Sequence, residues 1–508
     1  MLRPRHFLGI CASVLAGVAA CAADEEPDTG SLLQRHWFEA RTAHLDVYSC
    51  GSTQAVARVA GRLEQFRTAY GLLAGAQAVA SPPIVVMAFP DHAAMVPYLS
   101  LYQGQPVNLT AFFLHASDEN LIVLPLSGYG SLQSVFHEYT HLLLRHNDRI
   151  WPIWLEEGMA EIYSTFEVVG GHGIRIGSPL ERHLRLLEQS SLMPLSELFA
   201  TTHDSPNYNE REHQGVFYAE SWLLTHYLML GNSAANRANF GRLTALLRQG
   251  QKPEQAFTNA FHTSLPAMET QLRAYLERGR FDPLSMNVSV DLSVPQAMST
   301  RRLSLPEVCF RLGDELMRVG RADAAQEMFE RAQRSAPKSP LPFEGLGLLA
   351  AERHQPEESA RLLGEAIQHG STSFLAHYFY AREKFQLTSD AEGRHTRLPE
   401  DTAAEVRGEL TKSIALMPDF GQAQELLGFF ELVQGEDLAA AEEHLQRAIQ
   451  LEPENYAYLF SLAQTQLRRG ETDSARHNLE MLRLPYIEES LRIEAEQLLK
   501  EIGSDRGR

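Results

Sequence analysis

From Pro306 onward the chain repeats itself at a nearly fixed interval. Leu312-Gly313 and Leu346-Gly347 lie 34 residues apart, and Leu427-Gly428 and Leu462-Ala463 lie 35 apart. Gly320, Ala325, Phe329, Ala332 and Pro337 follow within the first unit. The unit from Gln424 carries Gly435, Ala448 and Pro453 in like order. A repeat of this length is one supersecondary unit that cannot bury its apolar face alone, so neighbouring units must stack. Small residues at fixed places let two antiparallel helices approach closely. Between Ser371 and Pro418 a degenerate unit carries a polar insertion near Thr388 to Glu400. About five units are expected over residues 306–500, enough for a continuous stacked core.

These positions resemble the tetratricopeptide repeat (TPR) pattern. The resemblance implies an all-α solenoid whose groove takes a peptide, a protein partner or the rest of the chain itself. A helical array without that kinship is the plainer alternative.

Upstream stands His137-Glu138-Tyr139-Thr140-His141, an H-E-x-x-H sequence. Gly130-Ser131 offers a helix start, and Leu132, Val135, Phe136, Tyr139, Leu142 and Leu143 recur at helical spacing. Residues four apart share a helix face, so His137 and His141 can converge on one Zn²⁺ from the flank of that apolar stripe. Glu138 is then the general base toward a water that the ion has made acidic. The plainer alternative is a solvated helix face.

Thirteen residues after His141 begins Trp154-Leu155-Glu156-Glu157-Gly158-Met159-Ala160-Glu161-Ile162-Tyr163, which puts Glu157 sixteen residues after that histidine. Here the chain resembles the gluzincin (peptidase-MA-like) zinc peptidases, related to the thermolysin and M1 aminopeptidase families. The likeness spans roughly Trp37 to Arg278. It implies a thermolysin-like α+β peptidase lobe in which Glu157 completes the metal site. The spacing agrees. Glu156 and Glu157 are about 100° apart on a helix, so one faces the metal, while Glu157 and Glu161 share a face. Glu161 is expected to accept the other N–H of a ligand His. On the helix expected from His213 to Met229, the resemblance places a Tyr near the oxyanion, and Tyr218 is the choice over His213 and His226. A hydroxyl satisfied inside the core is the competing reading of Tyr218. M1 aminopeptidases carry G-x-M-E-N near the site. This chain has Ser117-Asp118-Glu119-Asn120, which favours an endopeptidase-like cleft.

The lobe is expected over residues 35–281. It begins with a strand at Ala43 to Tyr48, a helix at Gln54 to Tyr70 and a strand at Ile84 to Phe89. A hairpin of Ala111 to Leu114 and Asn120 to Leu124 follows, and the motif helix and further helices complete it. Residues 282–305, with little periodicity, are expected as a linker. Residues 1–21 resemble an export leader, and Val18-Ala19-Ala20-Cys21 resembles a bacterial lipobox in which Cys21 carries the lipid. Residues 22–34 are then an acidic tether. The expected location is an outer-membrane lipoprotein facing the periplasm, with ordinary cleavage giving a periplasmic or secreted protein as the alternative. Cys50 and Cys309 are read as unpaired thiols. A net charge of −19 argues against nucleic acid and against an anionic membrane surface as partners.

Together these features predict a zinc-dependent peptidase with a TPR domain for protein interaction. Its partners are a peptide or protein substrate and a protein in the TPR groove. The alternative is an inactive zinc lobe whose repeats organise an envelope complex.

Overall fold

The computed structural model describes residues 29–74, 84–102, 105–106, 111–127, 131–145, 151–202, 205, 211–231, 234–293, 298–389, 395–484 and 487–505. The leader, Cys21 and the tether up to residue 28 lie outside them. No described helix is long and apolar enough to cross a membrane.

The first part of the chain builds a mixed sheet. Its early elements are β1 (Phe38–Arg41), β2 (Leu45–Ser49), helix α1 (Thr53–Ala74), β3 (Ile84–Phe89), β4 (Phe112–His115) and β5 (Asn120–Pro125). Helices α2 (Ser131–Arg145) and α3 (Ile153–Ser164) follow, then a small ribbon of β6 (Glu167–Val169) and β7 (Gly173–Ile176), and helices α4 (Glu181–Gln189) and α5 (Arg211–Leu230). The stretch expected as a linker instead supplies two strands, β8 (Leu284–Asn287) and β9 (Thr300–Arg302). β8 pairs with β7, and β9 pairs antiparallel with β1. Strands this short show no alternation, and their partners lie far off in sequence, so periodicity could not find them.

The large sheet runs β9-β1-β2-β3-β5-β4. β2, β3 and β5 are parallel neighbours, and β4 lies antiparallel on β5 as one edge. All six residues of β3 and of β5 are buried, as required of strands covered on both faces. Ile84, Val86, Ala88, Ile122 and Leu124 face the core shared with α1 and α2, where Phe66 stacks on Phe136 with centroids 4.7 Å apart. Val85, Met87, Phe89, Leu121 and Val123 face the opposite way.

That opposite face is covered by the repeats. Five helix pairs stack among the described residues: α6 (Leu305–Arg318) with α7 (Ala322–Ser335), α8 (Pro340–Glu352) with α9 (Pro356–Gln368), α10 (Phe374–Gln386) with α11 (Glu400–Leu416), α12 (Gly421–Gln434) with α13 (Leu438–Leu451), and α14 (Ala457–Arg469) with α15 (Thr472–Met481). A final helix, α16 (Glu489–Asp505), closes the row. The repeat glycines mark where paired helices touch. A Cβ on Gly313 would come within 2.6 Å of Phe329, one on Gly347 within 2.6 Å of Leu363, and one on Gly428 within 2.7 Å of Leu445. Phe310, Leu312, Leu316 and Phe329 of the first pair share one apolar core with Val85, Met87, Phe89, Leu121 and Val123. Sheet and array are therefore joined by a continuous interior rather than by a tether.

Candidate metal centre

The motif helix α2 is anchored by Val135, Phe136, Tyr139, Leu142 and Leu143, all buried. This leaves His137 and His141 on its flank, facing α3. The second helix carries Glu157 inward, while Glu156 is only partly buried. Three atoms meet. His137 Nε2 and His141 Nε2 are 3.2 Å apart, and Glu157 Oε2 lies 3.3 Å from the first and 3.4 Å from the second. Tetrahedral ligands about 2.0–2.1 Å from an ion are separated by about 3.3–3.4 Å, so the donor set and its spacing fit Zn²⁺. Among the described residues these three form the one group of His, Cys, Asp or Glu suited to a metal ion.

The local field favours positive charge. Burial alone would lower the pKa of His141 and raise that of Glu157. Their mutual attraction overrides both effects, lifting His141 to about 9 and holding Glu157 at about 2. Glu138 is buried beside them, and that burial pushes its carboxyl up to about 7 despite the neighbouring imidazoles.

Close helix packing sets this geometry. A Cβ on Gly158 would fall 2.0 Å from Thr225 Oγ1 and 2.5 Å from the Ser221 carbonyl oxygen. Gly158 thus lets α5 lie directly on α3, one residue from Glu157. On α5, the Tyr218 hydroxyl donates to Glu157 Oε1 at 3.4 Å, and its ring lies 6.2 Å from that of His137. Of the competing histidines, His226 serves the core. It is buried between the Gly177 carbonyl, 3.0 Å from Nε2, and the Tyr275 hydroxyl, 2.8 Å from Nδ1. Burial pushes it down to about 4. The side chain of His213 lies outside the described residues.

Glu161 sits behind the ligands as expected, but Oε1 is 3.7 Å from His137 Nδ1, too long for the expected hydrogen bond from that N–H. Its closer partners are Arg182 at 2.8 Å and His183 at 3.2 Å, both from α4. Burial would raise the Glu161 carboxyl, but His183, Arg182 and His137 together hold it well below the usual range. Sequence reasoning missed Arg182 and His183. They stand on a short helix with no spacing that ties them to the motif, and the pairing across 21 residues leaves no local signature.

The tetratricopeptide repeat family matches residues 310–373 and 432–486. No curated protein matches the chain. Among solved structures the chain is similar to a thermophilic TPR protein of Thermus thermophilus, at 20% identity over 38% of this chain and 98% of that one, with a TM-score of 0.29. It is similar to PilF of Pseudomonas aeruginosa at 15% identity over 40% and 89%, with a TM-score of 0.31. The TPR protein YrrB, titled as having an unusual peptide-binding site, shows 12% identity over 37% and 90%, also with a TM-score of 0.31. The C-terminal part of the chain carries tetratricopeptide repeats.

Proposed function

We propose that the N-terminal lobe is a zinc-dependent peptidase of gluzincin type, to which the repeats add a protein-interaction surface. The observation that carries the reading is the triangle of His137, His141 and Glu157 donor atoms, 3.2 to 3.4 Å on a side, with a buried Glu138 beside it. Bound there, Zn²⁺ supplies a Lewis acid that polarises a carbonyl and makes water acidic. Glu138 accepts the proton of the attacking water and passes it to the leaving amine. A carboxyl raised toward neutrality suits both steps. Tyr218 donates a hydrogen bond to the carbonyl oxygen as negative charge grows on it. Glu161 faces His137 Nδ1 from behind at 3.7 Å and, with the metal bound, would close on that N–H and orient the ring. The proposal includes an endopeptidase-like cleft for peptide or protein, export, and lipid attachment at Cys21.

A second reading, an inactive lobe serving a repeat scaffold, draws on the repeats alone. A scaffold has no use for a buried acid at position 138, where an apolar residue would be more stable. Glu138→Gln separates the two. The peptidase reading expects the variant to bind zinc as wild type does and to lose cleavage of a quenched peptide library by at least about 10²-fold. Zinc binding by both proteins with cleavage by neither would leave the scaffold, and equal cleavage by both would remove Glu138 from the role of base.

A further inference from the structure

The tip of the β4–β5 hairpin, Ser117-Asp118-Glu119, projects away from the sheet into the repeat array, and helices far apart in that array grip it. Arg318 of α6 reaches Asp118 Oδ2 at 2.7 Å and Glu119 Oε1 at 3.6 Å, and Asp314 one turn earlier steadies the same guanidinium at 3.1 Å. Arg311 lies 3.7 Å from Glu119 and stacks over the Tyr48 ring at 4.7 Å. From the fourth pair, Gln422 of α12 donates to Ser117 Oγ at 2.7 Å. Arg318, Asp118 and Glu119 keep only 13%, 18% and 13% of their side-chain surface exposed. The first helices of the first three pairs pack on one another in turn, as do those of the fourth and fifth, and it is first helices, α6 and α12, that meet the hairpin. The pair from Arg318 to Asp118 spans 200 residues, and the bond from Gln422 to Ser117 spans 305.

We propose that the first-helix face of the array is an internal docking surface whose ligand is this acidic hairpin tip, and that Arg311, Arg318 and Gln422 are positioning residues for edge strand β4. The hairpin presents a half-buried turn with two carboxylates and a hydroxyl, the same chemistry as a short acidic peptide. Two arginines and an amide receive it. Removing one partner from such an enclosed pair strands the other charge, so the contact behaves as a fixed strut and not as a site that exchanges ligands. The strut matters because β4 packs against α2, the helix that carries His137, Glu138 and His141. Its edge offers unpaired backbone groups to an extended chain. The docking stands on these contacts alone. Its consequence for catalysis rests on the peptidase reading above.

The test compares full-length wild type with Arg318→Ala, Asp118→Asn, and the swapped pair Asp118→Arg with Arg318→Asp, by hydrogen exchange, zinc binding and kinetics. The expected result is exchange at residues 112–119 faster by about tenfold or more in the single variants, with residues 84–89 still protected. The swapped pair should recover part of that protection. Zinc binding should be unchanged, and KM for a peptide should rise more than kcat falls. Unchanged exchange at 112–119, or equal loss at 84–89, would overturn the docking proposal. If the exchange pattern holds while no variant, wild type included, cleaves any peptide, the strut survives and the peptidase reading falls.

Discussion

Tyr218 touches the candidate centre through Glu157 Oε1 and so could act in two ways that one substitution separates. If the hydroxyl stabilises the growing oxyanion, Tyr218→Phe lowers kcat by about 10²–10³-fold and leaves zinc affinity alone. If it only orients Glu157, zinc affinity falls instead, which competition against a chromogenic chelator would reveal. Glu161 lies 3.7 Å from His137 Nδ1, beyond hydrogen-bond length, so its role as a support for that ligand is part of the proposal. Under the peptidase reading, Glu161→Ala should weaken zinc binding by about 10–100-fold, because it removes the carboxylate facing His137 Nδ1 and strands the buried His183. Glu220, on the same helix as Tyr218, gives a pH signature of its own. Its buried carboxylate accepts the Met193 N–H at 2.8 Å, yet burial raises its pKa from 4.5 to about 8. The fold therefore prefers the protonated acid. That contribution is fully present below pH 4.5 and is lost as pH rises through about 8. Urea midpoints measured at pH 5 and 8.5 should fall with pH in wild type and fall less in Glu220→Gln.

At the scale of elements, the centre depends on α5 lying flat against α3. Gly158→Ala sets a methyl group against Thr225 and the Ser221 carbonyl, so the helices must part. The expected outcome is a loss of about 1–3 kcal/mol or more in denaturant unfolding, together with weaker zinc binding, since Glu157 moves with its neighbour. Phe329→Ala, which empties the space between Gly313 and Gly345, should cost about 3–5 kcal/mol. Much of this level was legible in the residues. The periods around Leu312, Leu346 and Leu427 announced paired helices. The strands at Leu45–Ser49, Ile84–Phe89, Phe112–His115 and Asn120–Pro125 fall where apolar runs placed them. The four-residue spacing of His137 and His141 put both rings on one face. Pairing between remote short segments was not legible. Strands β8 and β9 are stabilised by partners more than a hundred residues away, and Arg182 and His183 join the centre only because α4 packs beneath Glu161. Local pattern carries no information about such contacts.

At the scale of the whole molecule, the sheet-bearing N-terminal lobe and the array share one apolar interior. The first pair of repeats covers Val85, Met87, Phe89, Leu121 and Val123. A chain ended at residue 305 would bare that apolar sheet face and release the hairpin from Arg311 and Arg318. It should precipitate or form large assemblies on size exclusion, whereas a soluble, zinc-binding monomer would show that the repeats are dispensable to the lobe. The central claim, that two imidazoles and one carboxylate from neighbouring helices hold a single ion, is tested most directly by titrating metal-free full-length protein with Zn²⁺ in a calorimeter. One tight site per chain that disappears in both His141→Ala and Glu157→Ala is the expected result. Stoichiometric binding that persists in those variants, or none in wild type, would contradict it.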